Sequence, residues 1–232
     1  MDTGESIDKW QKRWDDGHIG FHKGKVHEML SSFVDQLTYG KDKRRIFIPL
    51  CGKTIDIVWL WERGHEVVGV EAIEDAVIVF FKEQSMKYTV MEVSGIQGAK
   101  LYQSEDSRIK IYCCNLFELN STIIGKFHAI WDRGSLVAIG PCDRVKYAAL
   151  MSSLIEEGGR ILLESYLYDK EQFKWKNHSP FTLNEDDIKA LYEPKAQVQL
   201  LNKRDVLYDV FRQAGLEYMF AITLLLTFNC SK

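Results

Sequence analysis

A carboxylate lies where a nucleoside-binding sheet would need one. Glu71 follows a β-branched run at residues 66–70, about twenty residues after a turn at Gly52, the spacing at which an acid reaches the ribose hydroxyls in such sheets. A carboxylate accepts two hydrogen bonds from a vicinal diol better than any neutral side chain does. The alternative is that Glu71 is an exposed residue at the start of a helix, where the helix dipole favours an acid.

The turn before the first predicted helix favours a nucleoside without phosphates. Residues 47–53 read FIPLCGK, and Gly52 within them lets a ligand approach the backbone closely. The helix start that follows offers free N–H groups. The full Gly-x-Gly-x-x-Gly fingerprint is absent, which argues against a dinucleotide and its pyrophosphate. A single adenosine remains compatible with this turn.

A polar residue also follows the next predicted strand, at residues 109–113. Asn115 comes directly after it, and Leu116 and Phe117 come next. An asparagine here can meet the edge of an adenine while the two apolar side chains cover the face of the ring. The alternative is a loop residue followed by two core residues.

Arg133 follows the predicted strand at residues 127–131, within an uncommon Trp-Asp-Arg-Gly run. It either forms a structural ion pair with Asp132 or faces the pocket. In the second case its charge can hold an anionic acceptor, which makes Arg133 the candidate catalytic residue.

These residues all stand at the ends of strands in a predicted α/β sheet. Strands are predicted at residues 45–50, 66–70, 109–113, 127–131 and 160–166, and helices at residues 55–61, 73–84, 144–155 and 185–192. Residues 101–102 and 109–113 form either a hairpin or a strand with an edge partner. Such alternation predicts a mostly parallel sheet with helices on both faces. Two later β-rich runs, residues 206–211 and 218–228, predict a C-terminal antiparallel hairpin.

Composition predicts one domain over residues 1–232 and a cytoplasmic location. The chain is 46% hydrophobic, and its 30 basic and 33 acidic residues give a net charge of -3, so neither nucleic acid nor an anionic membrane is an expected partner. Its five cysteines are odd in number and lack metal-ligand spacing, which is typical of reduced thiols. The N-terminus is polar, unlike a signal peptide, and the apolar run at residues 221–228 is too short to span a bilayer as a helix.

Several segments in register resemble the vertebrate thiopurine S-methyltransferase family. The matching segments are residues 10–14, 20–22, 47–53, 63–71, 111–117, 124–127 and 130–139. The resemblance implies a Rossmann-like class I methyltransferase fold with a seven-stranded, mostly parallel sheet, a C-terminal antiparallel hairpin and an N-terminal helical lid within residues 1–40. It also implies S-adenosylmethionine as donor, S-adenosylhomocysteine as product, and no metal.

The resemblance also assigns roles to individual residues. It implies donor contacts for Trp10, Trp14, Leu50, Glu71, Asn115, Leu116 and Arg133, and an acceptor contact for Phe21. The two tryptophans are four residues apart and share one helix face, so they can close a pocket and attract a sulfonium. The alternative is a helix that packs on the domain through its aromatic side chains.

Departures from the family pattern leave the acceptor open. Val210 stands where the family carries an arginine, and residues 170–177 replace a proline-rich loop. We expect a monomer that methylates a small thiol or chalcogen acceptor. The alternatives are a methyltransferase for thiocyanate, halide or selenium species, and a protein that binds S-adenosylmethionine without turning it over.

Overall fold

A computed structural model describes residues 7–20, 24–175 and 178–229, and within them the chain forms one nine-stranded sheet. The strands are β1 (Arg45–Ile48), β2 (Glu66–Glu71), β3 (Tyr88–Glu92), β4 (Lys100–Ser104), β5 (Ile109–Cys113), β6 (Phe127–Arg133), β7 (Ile155–Leu167), β8 (Ala196–Asp205) and β9 (Phe220–Phe228). The helices are α1 (Ile7–Asp15), α2 (Glu28–Thr38), α3 (Asp56–Glu62), α4 (Glu74–Glu83), α5 (Ser121–Ile124), α6 (Arg144–Leu154), α7 (Glu185–Tyr192) and α8 (Asp209–Gln213).

The centre of the sheet is parallel, as predicted. The strand order is β3-β4-β5-β2-β1-β6-β7-β9-β8, and β5, β2, β1, β6 and β7 all run in one direction. Strand β9 is antiparallel to both β7 and β8, which confirms the C-terminal hairpin. The order of strands reverses at β1, and ligands of open α/β sheets bind at the carboxyl ends of the strands beside such a point.

Helices cover both faces of the sheet and bury its apolar side chains. On one face, α2, α3 and α4 contribute residues such as Leu30, Leu60 and Phe80 to a core that includes Trp131. On the other face, α6 and α7 pack against the sheet through fully buried side chains. Successive strand residues point to opposite faces, so strands buried on both sides read as continuous apolar runs, as the sequence does.

Six strands lie where strands were predicted, namely β1, β2, β5, β6, β7 and β9, and β4 contains the optional edge partner at residues 101–102. The sheet has nine strands where the resemblance implied seven. Strands β3 and β4 form an antiparallel hairpin that joins the edge beside β5. Every residue of β3 is exposed, so this strand carries no buried face and no alternation of apolar and polar residues. The sequence pattern therefore gave no indication of β3.

The first strand of the C-terminal hairpin was predicted at residues 206–211, and this position is wrong. The strand is β8, which ends at Asp205, and α8 begins at Asp209. Strand β8 lies at the edge of the sheet, is polar and has half of its residues exposed. Leu207 and Phe211, on either side of the start of α8, both pack against a small cluster around Phe173 instead of pairing in the sheet.

The two N-terminal helices differ in burial. Helix α2 is part of the core layer, since Leu30 and Leu37 are fully buried against the sheet. Helix α1 has no buried residue. None of the helices in the described ranges is long and apolar enough to cross a membrane.

Candidate functional site

Four adjacent strands bring the predicted residues to one edge of the sheet. Gly52 follows β1, Glu71 ends β2, Asn115 follows β5, and Arg133 ends β6. In the sheet these strands are consecutive, in the order β5-β2-β1-β6, and all four are parallel. Their carboxyl ends therefore meet at the point where the strand order reverses, as the α/β pattern predicted.

Glu71 is a buried carboxylate that is held by the backbone. Its side chain accepts hydrogen bonds from the N–H groups of Gly52 and Ile73, each at 2.9 Å, and the residue is 9% exposed. The alternative of an exposed residue that begins a helix is therefore wrong, because α4 begins at Glu74. Two bonds leave lone pairs on both oxygens. The ribose contact of Glu71 stays a prediction.

Burial raises the pKa of Glu71 above its usual range, while the hydrogen bonds from Ile73 and Gly52 act in the opposite direction. An ionised carboxylate in this position gains from any further donor that approaches it, since hydrogen bonds to the charged form stabilise it. The two hydroxyls of a ribose are donors of this kind.

The turn after β1 lies tightly against β2. Leu50 and Gly52 both adopt the left-handed conformation, at φ 44° and 50°, which is uncommon for a leucine and costs free energy. The N–H of Cys51 donates to the carbonyl of Val70 at 2.9 Å. A Cβ on Gly69 would lie 2.6 Å from the sulfur of Cys51, so glycine at this position permits the close approach.

Asn115 caps a short 3-10 turn at Leu116–Glu118. Its Oδ1 accepts the N–H of Phe117 at 3.0 Å, and the side chain is exposed. Leu116 is 3% exposed and packs in the core cluster of the α6 face, as in the alternative interpretation. The adenine contacts of Asn115 and Leu116 stay predictions.

Asp132 and Arg133 point to opposite faces, because they are consecutive strand residues. Asp132 is fully buried and accepts hydrogen bonds from the Tyr147 hydroxyl at 2.7 Å and from the N–H of Leu136 at 3.1 Å. Burial raises the pKa of Asp132 to about 6. Asp132 thus anchors the turn after β6, whereas Arg133 is partly exposed beside Glu164, its register partner on β7.

A hydrogen bond joins the two turns that flank the switch point. The Ser135 hydroxyl donates to the carbonyl of Pro49 at 2.7 Å, and both groups are buried. The turn after β1 and the turn after β6 are therefore fixed relative to each other.

The aromatic residues of the predicted lid are only partly described. Trp10 and Trp14 lie on α1, and both are partly exposed. The guanidinium of Arg13 lies 4.7 Å from the ring centre of Trp10. Phe21, the predicted acceptor contact, lies outside the described residues, as do residues 176 and 177 of the predicted insert.

A charged cluster that the sequence reasoning missed lies beside Arg133. Glu164 is 1% exposed, and its carboxylate contacts Arg204 Nη2 at 2.5 Å, His27 Nε2 at 3.4 Å and the Tyr166 hydroxyl at 3.2 Å. Although burial opposes ionisation, hydrogen bonds and charges from His27 and Arg204 lower the pKa of Glu164 to about 2. The sequence could have indicated this cluster, because Glu164 is a charged residue within the apolar run of β7. Buried acids are rare unless they are paired.

Two cysteines near the site have raised pKa values. Burial is the main cause that raises the pKa of Cys113 to about 11 and that of Cys114 to about 12. The thiolate is the nucleophilic form, so neither residue is suited to covalent catalysis. The described ranges contain no group of three or more His, Cys, Asp or Glu side chains that could hold a metal ion.

The fold is similar to that of solved methyltransferases. Burkholderia thailandensis 1,6-didemethyltoxoflavin-N1-methyltransferase, solved with S-adenosylhomocysteine, superposes with a TM-score of 0.65 at 15% identity, covering 96% of this chain and 86% of that chain. TehB from Haemophilus influenzae gives a TM-score of 0.61 at 14% identity, covering 96% and 66%. These similarities define the fold as the Rossmann-like class I methyltransferase fold.

The chain belongs to the thiopurine S-methyltransferase family, whose sequence profile matches residues 5–227. A Danio rerio protein named "Probable thiopurine S-methyltransferase" is 42% identical over 221 residues, covering 95% of this chain and 94% of its own length. The Oryctolagus cuniculus thiopurine S-methyltransferase is 38% identical over 222 residues, covering 96% and 89%. The resemblance is thereby confirmed, and the protein is an S-adenosylmethionine-dependent methyltransferase.

Proposed function

We propose that the protein transfers a methyl group to the sulfur of a small thiol, with thiopurines among the acceptors it takes. Family membership across nearly the whole chain supports this acceptor class, since its curated relatives carry the name thiopurine S-methyltransferase. The observation that carries the proposal is the buried, backbone-bonded carboxylate of Glu71 at the switch point, on the same edge of the sheet as the partly exposed Arg133.

Different residues of the chain bind different parts of the donor. When bound, S-adenosylmethionine supplies an electrophilic methyl group on a sulfonium. Glu71 accepts hydrogen bonds from the ribose hydroxyls through the lone pairs that Gly52 and Ile73 leave available. Asn115 and Leu116 contact the adenine, and Leu50, in its left-handed turn, contacts the methionine end.

Arg133 holds the acceptor as an anion. A thiol reacts as its thiolate, and a nearby guanidinium favours that charged form. The protein needs no covalent intermediate, because alignment of the reacting atoms alone can lower the barrier by roughly 7–11 kcal/mol. Arg133 therefore binds and orients the acceptor rather than moving a proton itself, since a guanidinium stays protonated.

The N-terminal segment closes the site. Trp10 and Trp14 lie on one face of α1, a helix without buried residues, and large aromatic faces exclude water and attract a sulfonium. With Phe21, they form a lid over donor and acceptor within residues 1–40. We further propose that residues 1–232 form a single domain that acts as a monomer in the cytoplasm, where the thiols of Cys51, Cys113, Cys114 and Cys142 stay reduced.

A methyl-release assay with labelled S-adenosylmethionine tests the function. We expect release with a thiopurine and with aromatic thiols, and much slower release with thiocyanate, iodide or selenite. Faster turnover of those inorganic acceptors would favour the small-anion alternative, which family membership does not favour. Calorimetric binding of the donor without release to any acceptor would instead indicate a non-catalytic binding protein.

A further inference from the structure

A row of polar side chains crosses the α2 face of the sheet, next to Arg133. Arg133 pairs in register with Glu164, Glu164 with Thr223, and Thr223 with Asn202. Residues paired across neighbouring strands present their side chains on one face, and adjacent strands are about 4.8 Å apart. Strands β6, β7, β9 and β8 thus carry one continuous row of polar side chains on this face.

Arg204 belongs to the next row of the same face. Tyr166 on β7 and Arg204 on β8 both pair with Ala221 of β9. The Nη2 of Arg204 contacts Glu164 at 2.5 Å and lies 3.5 Å from His27 Nε2. Glu164 therefore fixes the orientation of the guanidinium, whose side chain is 25% exposed.

Three buried polar atoms on β8 and β9 have unused hydrogen-bonding capacity. Arg204 Nη1, Asn202 Oδ1 and Thr223 Oγ1 are buried atoms without a hydrogen-bond partner among the described residues, and Thr223 is fully buried. Buried polar atoms are rarely left unpaired, because each costs about 1–3 kcal/mol. Two of the three, the guanidinium and the hydroxyl, are donors that suit a carboxylate oxygen.

The charges of the cluster favour an anionic ligand. Arg133 and Arg204 are both close enough to Tyr166 to act on the pKa of its phenol, and Glu164 acts on that pKa in the opposite direction. His27 and Arg204 hold the pKa of Glu164 at about 2, which keeps this carboxylate ionised. Glu164 is bonded through the Nη2 of Arg204, so the Nη1 of the same guanidinium is the cationic donor that is left for an anionic ligand.

We propose that Arg204, oriented by Glu164 and assisted by Thr223, determines acceptor specificity by binding a carboxylate on the acceptor. The proposal rests on the proposed function, since it places the sulfur of the acceptor near Arg133 and its carboxylate near β8. The preferred acceptors are then thiols that carry a second, negatively charged group. In this arrangement Glu164 is a positioning residue that acts through Arg204.

The test compares ortho-, meta- and para-mercaptobenzoate with their methyl esters, which keep the thiol but lose the charge. We expect the wild-type protein to show a higher kcat/KM for at least one acid than for its ester. Arg204→Gln should lower kcat/KM for that acid by about tenfold or more, mainly through KM, and change the ester less than threefold, since a hydrogen bond between two charged groups is lost. Lys203→Gln is the matched control, because Lys203 is the neighbouring cation on β8 and lies over Phe220 instead.

Two further variants distinguish loss of the carboxylate contact from misfolding of Arg204→Gln. Arg204→Gln leaves the buried charge of Glu164 with fewer partners, so the double variant with Glu164→Gln removes both charges and should show the same loss of acid preference. Arg204→Lys keeps the charge without the planar fork and should restore part of the preference.

If the protein turns over no thiol, the affinities for the acid and its ester still test the role of Arg204. Calorimetry on the complex with S-adenosylhomocysteine should then show tighter binding of the acid than of its ester, and Arg204→Gln should abolish the difference. Absence of turnover with every thiol contradicts the proposed function but leaves this comparison intact. Equal affinity for acid and ester in the wild-type protein, or equal loss of both in Arg204→Gln, would overturn the role of Arg204 and leave the polar row as a site for ordered water.

Discussion

At the scale of single residues, the two buried acids of the site are used differently. Glu71 accepts its hydrogen bonds from backbone N–H groups, and burial raises its pKa. Glu164 is bonded by charged side chains, and its pKa is lowered to about 2. The first acid is thus suited to accept donors from a ligand, whereas the second is already neutralised by its neighbours.

Glu71→Gln should weaken binding of S-adenosylhomocysteine by about ten- to hundredfold, because a charged acceptor is worth roughly 1.5–3 kcal/mol per hydrogen bond. Isothermal titration calorimetry measures the change directly. Glu66→Gln is the matched control, since Glu66 begins the same strand and pairs with Arg45 and Lys110 at the opposite edge of the sheet. Similar losses in both variants would remove Glu71 from the ribose site.

Arg133→Ala should lower acceptor turnover by about tenfold or more while it changes the unfolding midpoint little, because Arg133 is partly exposed and orients the acceptor. Steady-state kinetics and urea unfolding on the same preparations separate the two effects. Arg63→Ala, which removes a guanidinium stacked on Trp59, serves as the control. Unchanged turnover at an unchanged midpoint would exclude Arg133 from the mechanism.

The lowered pKa of Glu164 predicts that its contribution to the free energy of unfolding decreases as the pH falls. Its folded pKa of about 2 lies below the ordinary value of 4.5, so its stabilisation is fully present above about pH 4.5 and is lost as the pH falls towards 2. The groups that face it are Arg204, His27, Tyr166 and Arg133.

The free energy of unfolding of the wild-type protein should therefore exceed that of Glu164→Gln by an amount that shrinks between pH 4.5 and 3, out of a full linkage of about 3 kcal/mol. Guanidinium titrations at a series of pH values measure the difference. Glu217→Gln, at an exposed acid, should follow the wild-type protein at every pH. A gap between wild type and Glu164→Gln that widens on acidification would contradict the assigned charge state.

At the scale of elements, the turn after β1 depends on the strand beside it. Cys51 occupies the space that a side chain at Gly69 would need, and the next residue, Gly52, donates to Glu71. The conformation of the turn and the position of the carboxylate are therefore set together by two adjacent parallel strands.

Gly69→Ala should weaken donor binding and lower the unfolding midpoint, because the new methyl group would lie 2.6 Å from the sulfur of Cys51 and displace the turn. Combining it with Cys51→Ala removes that sulfur and should restore part of the donor affinity. Calorimetry and thermal unfolding report the two effects, and Gly24→Ala, where the added carbon meets nothing within 4 Å, is the control. Failure of the double variant to recover any affinity would show that the sulfur contact is not the cause.

The sequence predicted the strands that are buried on both faces and missed or misplaced the strands that are largely exposed. Strands β1, β2, β5 and β6 were found because their apolar runs are continuous, and the site residues that follow them were found with them. Strands β3 and β8 are the two edges of the sheet, one fully exposed and the other half exposed, so their sequences show little periodicity. The Glu164 cluster joins residues up to 177 positions apart in the chain, and such a contact requires the fold to be known.

At the scale of the whole molecule, the donor and acceptor sides of the site lie on different parts of one continuous sheet. The donor residues follow β1, β2 and β5, while Glu164 and Arg204 lie on β7 and β8. Because a single sheet connects them and both faces of its central strands are buried, ligand binding at one edge should stabilise the entire chain.

S-adenosylhomocysteine at about one hundred times its dissociation constant should raise the unfolding midpoint by about 5–10 °C. The estimate combines a linkage of roughly 2.7 kcal/mol with about 2–4 °C per kcal/mol for a chain of this size. Differential scanning calorimetry measures the shift, and Glu71→Gln at the same ligand concentration should show a much smaller one. Two separate transitions, of which only one responds to the ligand, would contradict a single cooperative domain.

The antiparallel hairpin of β8 and β9 has a consequence for how this family diversifies. Strand β8 is the last strand of the sheet, so its inner side chains can be exchanged without repacking a neighbour beyond it. Mutations that change the acceptor can thus accumulate along β8 while the donor-binding residues stay unchanged. A comparison of natural homologues that differ only along β8 should therefore identify enzymes with different acceptor preferences.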